Sequence, residues 1–340
     1  MSKPPKHILV IRLSAMGDVA MTVPVLRAFT AQYPEIKITV LTRGFYKPFF
    51  RDLENVSVFE ADLKNKHSGF FGLLDLSKEL RLLGIDAVAD LHNVLRTKIL
   101  KVFLLDLKPI QIDKGRAEKK ALVKGEIFEQ LKTTHQRYKD VFEKLGVPIV
   151  EAPPQFPERS MLSSNIRDMV GNAIKKWIGI APFAAHKSKM YPLPLMAEVV
   201  KTLSQEYTVL LFGGKEDAKY LNTLQGSEVH VIAGKLSLDE ELDVISNLDV
   251  MLSMDSGNAH MAAMMGIKVV TLWGVTHPYA GFYPFHQDLD FALLADRSKF
   301  PKIPTSIYGN KFPDGYENSM ATIRPEEVVE KVKQVIKKPY

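Results

Sequence analysis

The chain opens on a nearly continuous apolar run, His7-Ile8-Leu9-Val10-Ile11-Arg12-Leu13, short and β-branched as in a strand covered on both faces. Ser14-Ala15-Met16-Gly17 follows as a small-residue loop, and a helix is predicted from Asp18 towards Gln32, with Pro24 in its early turns. Similar runs recur at 36–41, 56–59 and 86–91, with helical spacing between them, as over 71–83. The second half starts afresh with the same alternation, in Trp177-Ile178-Gly179-Ile180-Ala181-Pro182, a loop through His186-Lys187-Ser188-Lys189, then a helix over 195–207. Further strands are predicted at 208–212, 230–232, 250–253 and 269–273, and helices at 239–247, 256–265 and 326–337. Strands alternating with helices predict an α/β fold on parallel sheets, in two similar halves.

Length supports two cores, since 340 residues exceed what one core usually organises. Glu151-Ala152-Pro153-Pro154-Gln155-Phe156-Pro157 continues neither a helix nor a central strand and reads as the linker. The domains are therefore expected at 1–157 and 158–324, followed by a helix over 325–340 that packs back towards the first half. Residues 297–320, broken by Pro301, Pro304, Gly309, Pro313 and Gly315, are expected to be an irregular excursion. The cleft between the halves is the default site.

Composition removes several chemistries. With no cysteine, thiol catalysis, disulfides and thiolate metal sites are excluded. No apolar run reaches the length of a membrane span, and Arg12 and Asp18 interrupt the first one, so the chain reads as cytoplasmic. The net charge of +6 sits in the first half: residues 1–160 hold 26 basic and 19 acidic side chains, residues 161–340 hold 19 and 20. That permits an anionic partner there, although no basic motif interleaved with aromatics marks a nucleic-acid module.

No strand is followed by Gly-x-Gly-x-x-Gly, and Gly213-Gly214-Lys215-Glu216 lacks the spacing of a P-loop. His-Glu-x-x-His is absent, and Asp288-Leu289-Asp290 sits among loop residues, so no metal site is expected. The informative segment is Met254-Asp255-Ser256-Gly257-Asn258-Ala259-His260, closed by Gly266. Asp255 or Ser256 caps a helix there, whose unpaired amides and positive dipole end suit a diphosphate at the sheet's carboxyl edge. His260 lies one turn in, on the same face. An ordinary helix start with a packed histidine has the same spacing. Lys187 and Lys189, in the loop after the first strand of the same half, favour the phosphate reading because they bring cations to that edge. Asp18 occupies the equivalent turn of the first half, beside Gly17, which permits close backbone approach. Taken alone, it reads as a helix cap.

Five ordered motifs resemble a known family. Ile11-Arg12-Leu13-Ser14-Ala15-Met16-Gly17-Asp18, Lys189-x-x-Pro192, Phe212-Gly213-Gly214-x-x-Asp217, Ala233-Gly234-Lys235-Leu236-Ser237-Leu238 and Asp255-Ser256-Gly257-x-x-His260-x-Ala262-Ala263-x-x-Gly266 are similar to the lipopolysaccharide heptosyltransferases of glycosyltransferase family 9. The likeness spans about 7–337. It implies a GT-B architecture of two Rossmann-like domains, with the acceptor on the first and the nucleotide-sugar donor on the second. Donors of this family are typically ADP-heptose and acceptors are lipid A-linked core oligosaccharide. By resemblance, Asp18 is the catalytic base, Lys189 meets the donor phosphates, and Asp255, Ser256, Gly257 and His260 line the donor site. The Gly234, Lys235 and Leu236 loop would face the adenine. Ser14, Met16 and Gly17 are expected on the acceptor side. Arg116, Lys119 and Lys120, from the basic stretch 96–124, are expected to meet the anionic acceptor or the inner leaflet. The family usually shows Trp at Tyr191, Asn at Met254 and Pro at Val275, none of which removes a charge. The reaction implied is inverting and metal-independent, without a cofactor. A nucleotide-sugar epimerase and a basic binding protein for RNA or anionic lipid remain the alternatives.

Overall fold

A computed structural model describes residues 4–338 apart from 172–174, 225 and 227. The first sheet has five parallel strands, β1 (His7–Ile11), β2 (Lys37–Thr42), β3 (Val56–Glu60), β4 (Ala87–Asp90) and β5 (Ile110–Gln111), in the order β3-β2-β1-β4-β5. The second has six, β6 (Trp177–Ala181), β7 (Thr208–Leu211), β8 (Val229–Val231), β9 (Val250–Met254), β10 (Val269–Trp273) and β11 (Ala292–Leu294), in the order β11-β10-β9-β6-β7-β8. β1 is sandwiched, with Ile8 opposite both Ile38 and Ala87, and β6 likewise, with Ile178 opposite both Val209 and Val250. Chain order reverses between β1 and β4 and between β6 and β9. At such switch points the loops after two neighbouring strands splay apart and leave a crevice at the carboxyl edge.

The long first helix is two helices, Met16–Ala20 and Thr22–Gln32. Pro24 is the reason: it has no N–H to give the Ala20 carbonyl and its ring crowds that turn. β5 and β11, two and three residues long, have too little periodicity to be read from sequence.

The chain divides into two compact units, residues 1–114 with 134–155 and residues 115–133 with 156–340. Residues 115–133, expected in the half 1–157, thus fall in the second unit rather than the first, and the half expected at 158–324 gives up no segment in return. Helix Arg116–Lys124 and the loop after it belong to the second unit, because Leu122 and Leu131 are buried with Ala280 against Ile127, Tyr279, Phe282 and Ile307. Leu131 N donates to the Tyr279 carbonyl at 2.9 Å. The terminal helix Pro325–Lys337, expected to pack back towards the first half, also belongs to the second unit. Its apolar stripe of Val328, Val332, Val335 and Ile336 joins the core under helix Leu193–Leu203. The excursion at 297–320 folds onto that unit as well, with Ile303 and Met320 buried.

Candidate functional site

At the first switch point the key residue is Arg12, just beyond β1 and only 6% exposed. A buried guanidinium needs several acceptors. Its Nη1 donates to the Leu91 carbonyl at 2.7 Å, and its Nη2 lies 2.6 Å from Asp18 Oδ2. Arg12 therefore ties the loop after β4 to the loop after β1. Asp18 is not the cap residue but the third residue of helix Met16–Ala20. Its Oδ2 accepts from Ala15 N at 3.3 Å, while the carboxylate keeps 26% exposure. Tyr138 holds the backbone there through its hydroxyl, which donates to the Asp18 carbonyl at 3.2 Å. Ser14 on that loop and Met16 and Gly17 in the first turn of the helix are half-buried.

The loop after β4 is fixed by a second buried carboxylate. Asp90 is fully buried, 2.8 Å from Lys101 Nζ, and accepts from Thr97 Oγ1 at 2.9 Å, His92 N at 3.0 Å and Asn93 N at 2.8 Å. The His92 ring is buried beside the Arg12–Asp18 pair, and among the described residues its Nδ1 has no hydrogen-bond partner. Burial, helped by the charges of Arg12 and Lys114, lowers its pKa to about 4, so the ring is neutral.

At the second switch point Lys189 Nζ lies 2.7 Å from Asp255 Oδ2, with the side chains 13% and 10% exposed. Thr276 Oγ1 donates to the same carboxylate oxygen at 2.9 Å. The loop carrying Lys189 is pinned by Ser188, whose hydroxyl donates to the Gly309 carbonyl. Gly309 has φ +78°, and a Cβ there would stand 2.6 Å from Lys189 Cδ, so the excursion needs glycine where it crosses the lysine. Helix Gly257–Met264 begins at Ser256, whose hydroxyl pairs with Ser253 Oγ at 3.1 Å instead of folding over the first amides. That leaves the helix start without a side-chain cap among the described residues, beside an ammonium with two donors beyond the one on Asp255. Gly266, with φ +79°, closes the helix as expected. His260 is buried on the helix face.

Of the expected residues, the structure brings Lys189 to Asp255 and sets both beside Ser256 and Gly257. Lys187 points into solvent. Gly234, Lys235 and Leu236 follow β8, two strands or about 10 Å along the edge from β6. Arg116, Lys119 and Lys120 lie in the second unit. Lys119 is buried there, with its Nζ 4.1 Å from the centre of the Phe282 ring. Sequence reasoning missed the bridging role of Arg12, the Asp90 hub, His92 and Thr276. The available signal was a charge at the end of an apolar run, as at Arg12 and Asp90, because a strand that buries a charge must also supply its partner. Among the described residues no group of three or more His, Asp or Glu is arranged to hold a metal ion, and no helix is long and apolar enough to cross a membrane.

The model of glycosyltransferase family 9 (heptosyltransferase) matches residues 73–303. A lipopolysaccharide core heptosyltransferase, OpsX of Haemophilus influenzae, is 25% identical over 292 residues, covering 81% of this chain and 80% of its own length. Among solved structures, a family 9 glycosyl transferase from Veillonella parvula superposes with a TM-score of 0.77 at 20% identity over 99% of this chain and 98% of its own. The E. coli ADP-heptose lps heptosyltransferase II gives 0.68 at 20% identity, covering 97% and 98%.

Proposed function

The chain belongs to glycosyltransferase family 9, the heptosyltransferases, and on that premise we propose that it moves a heptose from an ADP-heptose-type donor to a lipid A-linked core oligosaccharide in one inverting, metal-independent displacement. At the coarser level it is a GT-B glycosyltransferase with two Rossmann-like units and a heptosyltransferase of lipopolysaccharide core biosynthesis. Of the alternatives left open by sequence, family membership favours neither the epimerase nor the binding protein.

The observation that carries the proposal is the Lys189 ammonium, fixed by Asp255 beside the uncapped start of helix Gly257–Met264. Oriented amides and one fixed cation meet a diphosphate without a metal ion. In this reading Asp255 and Thr276 aim the lysine, Ser256 and Gly257 offer the backbone, His260 backs the helix, and Gly234, Lys235 and Leu236 face the base. Asp18 takes the proton of the acceptor hydroxyl as its oxygen bonds to the anomeric carbon. The bond from that carbon to the diphosphate oxygen breaks in the same step, and the charge leaving on the diphosphate is met by Lys189. Ser14, Met16 and Gly17 border the acceptor. Because the acceptor is lipid-linked, the enzyme works in peripheral contact with the cytoplasmic face of the inner membrane.

The test is incubation of purified protein with ADP-, UDP- and GDP-sugars and a lipid A-linked acceptor, with and without a chelator. The expected result is glycan extension from ADP-heptose alone, with inverted anomeric configuration and no loss on chelation. Retention, chelator sensitivity or preference for another base would each overturn the corresponding part of the reading.

A further inference from the structure

The first unit carries a cluster of apolar side chains in solvent at the carboxyl edge of its sheet. Phe45 follows β2, Phe70 and Phe71 start helix Gly69–Arg81 after β3, and Leu95 starts helix Leu95–Val102 after β4. They are 62, 57, 78 and 75% exposed. The Phe70 ring packs edge-on against Phe71 and against Phe103, which follows helix Leu95–Val102, with centroids 5.8 and 5.2 Å apart. Large exposed apolar residues gathered in one place mark an interaction surface.

The charges around them are sorted. Lys47, Lys66, Lys78 and Arg81 are neutralised by Glu60, Glu79, Asp75 and Asp106. Arg43, Lys64 and Arg96, which line with Phe45 a cavity of about 430 Å³, form no ion pair among the described residues. Asp62 in that cavity is held by its own loop, accepting from Lys64 N at 3.3 Å and Asn65 N at 3.1 Å. Arg43, Lys64 and Arg96 are thus cations without an ion pair among the described residues that stand beside Phe45 and Leu95, in a unit with 20 basic and 15 acidic residues.

We propose that this edge docks on an anionic lipid bilayer, with Phe45, Phe70, Phe71 and Leu95 entering the headgroup boundary while Arg43, Lys64 and Arg96 meet lipid phosphates. Charge argues for a bilayer over a second copy of this chain, because a two-fold contact through the patch would bring two copies of the same uncompensated positive surface together. The position gives the docking a purpose: Asp18 follows β1 on this same edge, where a lipid-linked hydroxyl would arrive. The proposal replaces Arg116, Lys119 and Lys120 as the membrane contact. It deepens the lipid-linked acceptor reading but is measured without donor or acceptor.

The experiment is co-sedimentation of the full chain with vesicles of phosphatidylcholine, alone or mixed equally with phosphatidylglycerol. The variants are Phe70→Ser/Phe71→Ser/Leu95→Ser and Arg43→Gln/Lys64→Gln/Arg96→Gln. Wild type should bind the anionic vesicles preferentially. The apolar variant should lose binding at low and high salt alike, and the charge variant should lose about fivefold per cation at low salt. Both should keep the wild-type melting temperature and ADP affinity, because none of the substituted side chains is buried. Transfer to a vesicle-embedded acceptor should fall in the apolar variant, while transfer to a delipidated acceptor stays unchanged. Undiminished vesicle binding by the apolar variant would overturn the proposal, as would a wild-type dimer in sedimentation velocity that this variant turns into a monomer. Vesicle binding without any sugar transfer would instead count against the transferase reading and leave the docking surface standing.

Discussion

Each unit places an ion pair at the switch point of its sheet, and the two pairs are built in opposite senses. In the first, the cation is the anchored partner: Arg12 is buried and divided between the Leu91 carbonyl and Asp18, and the carboxylate is the group with open surface. In the second, the carboxylate is anchored: Asp255 accepts from Thr276 as well as Lys189, and the ammonium keeps donors to spare beside an uncapped helix start. One edge offers a substrate a negative group and the other a positive one. A base and a diphosphate grip have just these requirements, so one sheet topology serves two roles through the choice of which partner is tied down.

The largest expected effect comes from removing the negative group. In Asp18→Asn the remaining side-chain oxygen can still accept from Ala15 N and Arg12, so the loop should keep its shape. The loss of the charge opposite a buried guanidinium should cost about 1–3 kcal/mol of stability. Turnover should fall about 10²–10⁴-fold, because the amide takes no proton. ADP affinity, measured calorimetrically, should stay at the wild-type value. Near wild-type turnover in a folded variant would break the comparison on the acceptor side.

The next effect is on the other pair. Lys189→Ala should lower kcat/KM about 10–100-fold, as expected for a charged hydrogen bond to the leaving diphosphate, with donor affinity falling in parallel. It also strands the Asp255 carboxylate, so part of any loss will be structural. Lys189→Ala/Asp255→Asn separates the two: it should recover melting temperature but not donor affinity. Lys187→Ala, at an exposed side chain, should behave as wild type. If the double variant regained donor affinity, the lysine would be there to satisfy Asp255 and nothing more.

What could be read in the sequence was local. Asp255, Ser256, Gly257 and His260 lie within one strand end and one helical turn, so their juxtaposition follows from spacing. The alternation of strands and helices likewise gave two parallel sheets. The pairing of Lys189 with Asp255 joins loops after β6 and β9, which become neighbours only when the sheet reverses its order, and no periodicity carries that. The crossing of 115–133 was hidden for a similar reason. An amphipathic helix such as Arg116–Lys124 announces that one face is buried but not which core receives it, and the basic residues counted towards the first half went with it. Arg12 was visible as a charge inside an apolar run, yet Leu91 and Asp18, which both accept from it, follow different strands.

The smallest expected effect on turnover concerns two histidines, one by each pair. His92 sits beside Arg12 and Asp18, and His277 follows Thr276. Burial lowers both to about 4, with Arg12 and Lys114 adding to the effect at His92 and Arg297 at His277. In the unfolded chain a histidine titrates near 6.5. Between about pH 4 and 6.5 the unfolded chain therefore binds more protons than the native one. Stability is complete above that window and is lost as pH falls through it, by about 1–3 kcal/mol per ring. Thermal melts at about pH 7.5 and pH 5 should show the drop, and His92→Gln and His277→Gln should each flatten part of it. Neither ring should contribute a titration to wild-type turnover between about pH 6.5 and 8, since both stay neutral there. If His92→Gln instead left the melts unchanged and removed an acid limb from kcat, the neutral ring would be acting on the acceptor together with Asp18. The first edge would then offer a substrate two groups where the second offers one cation.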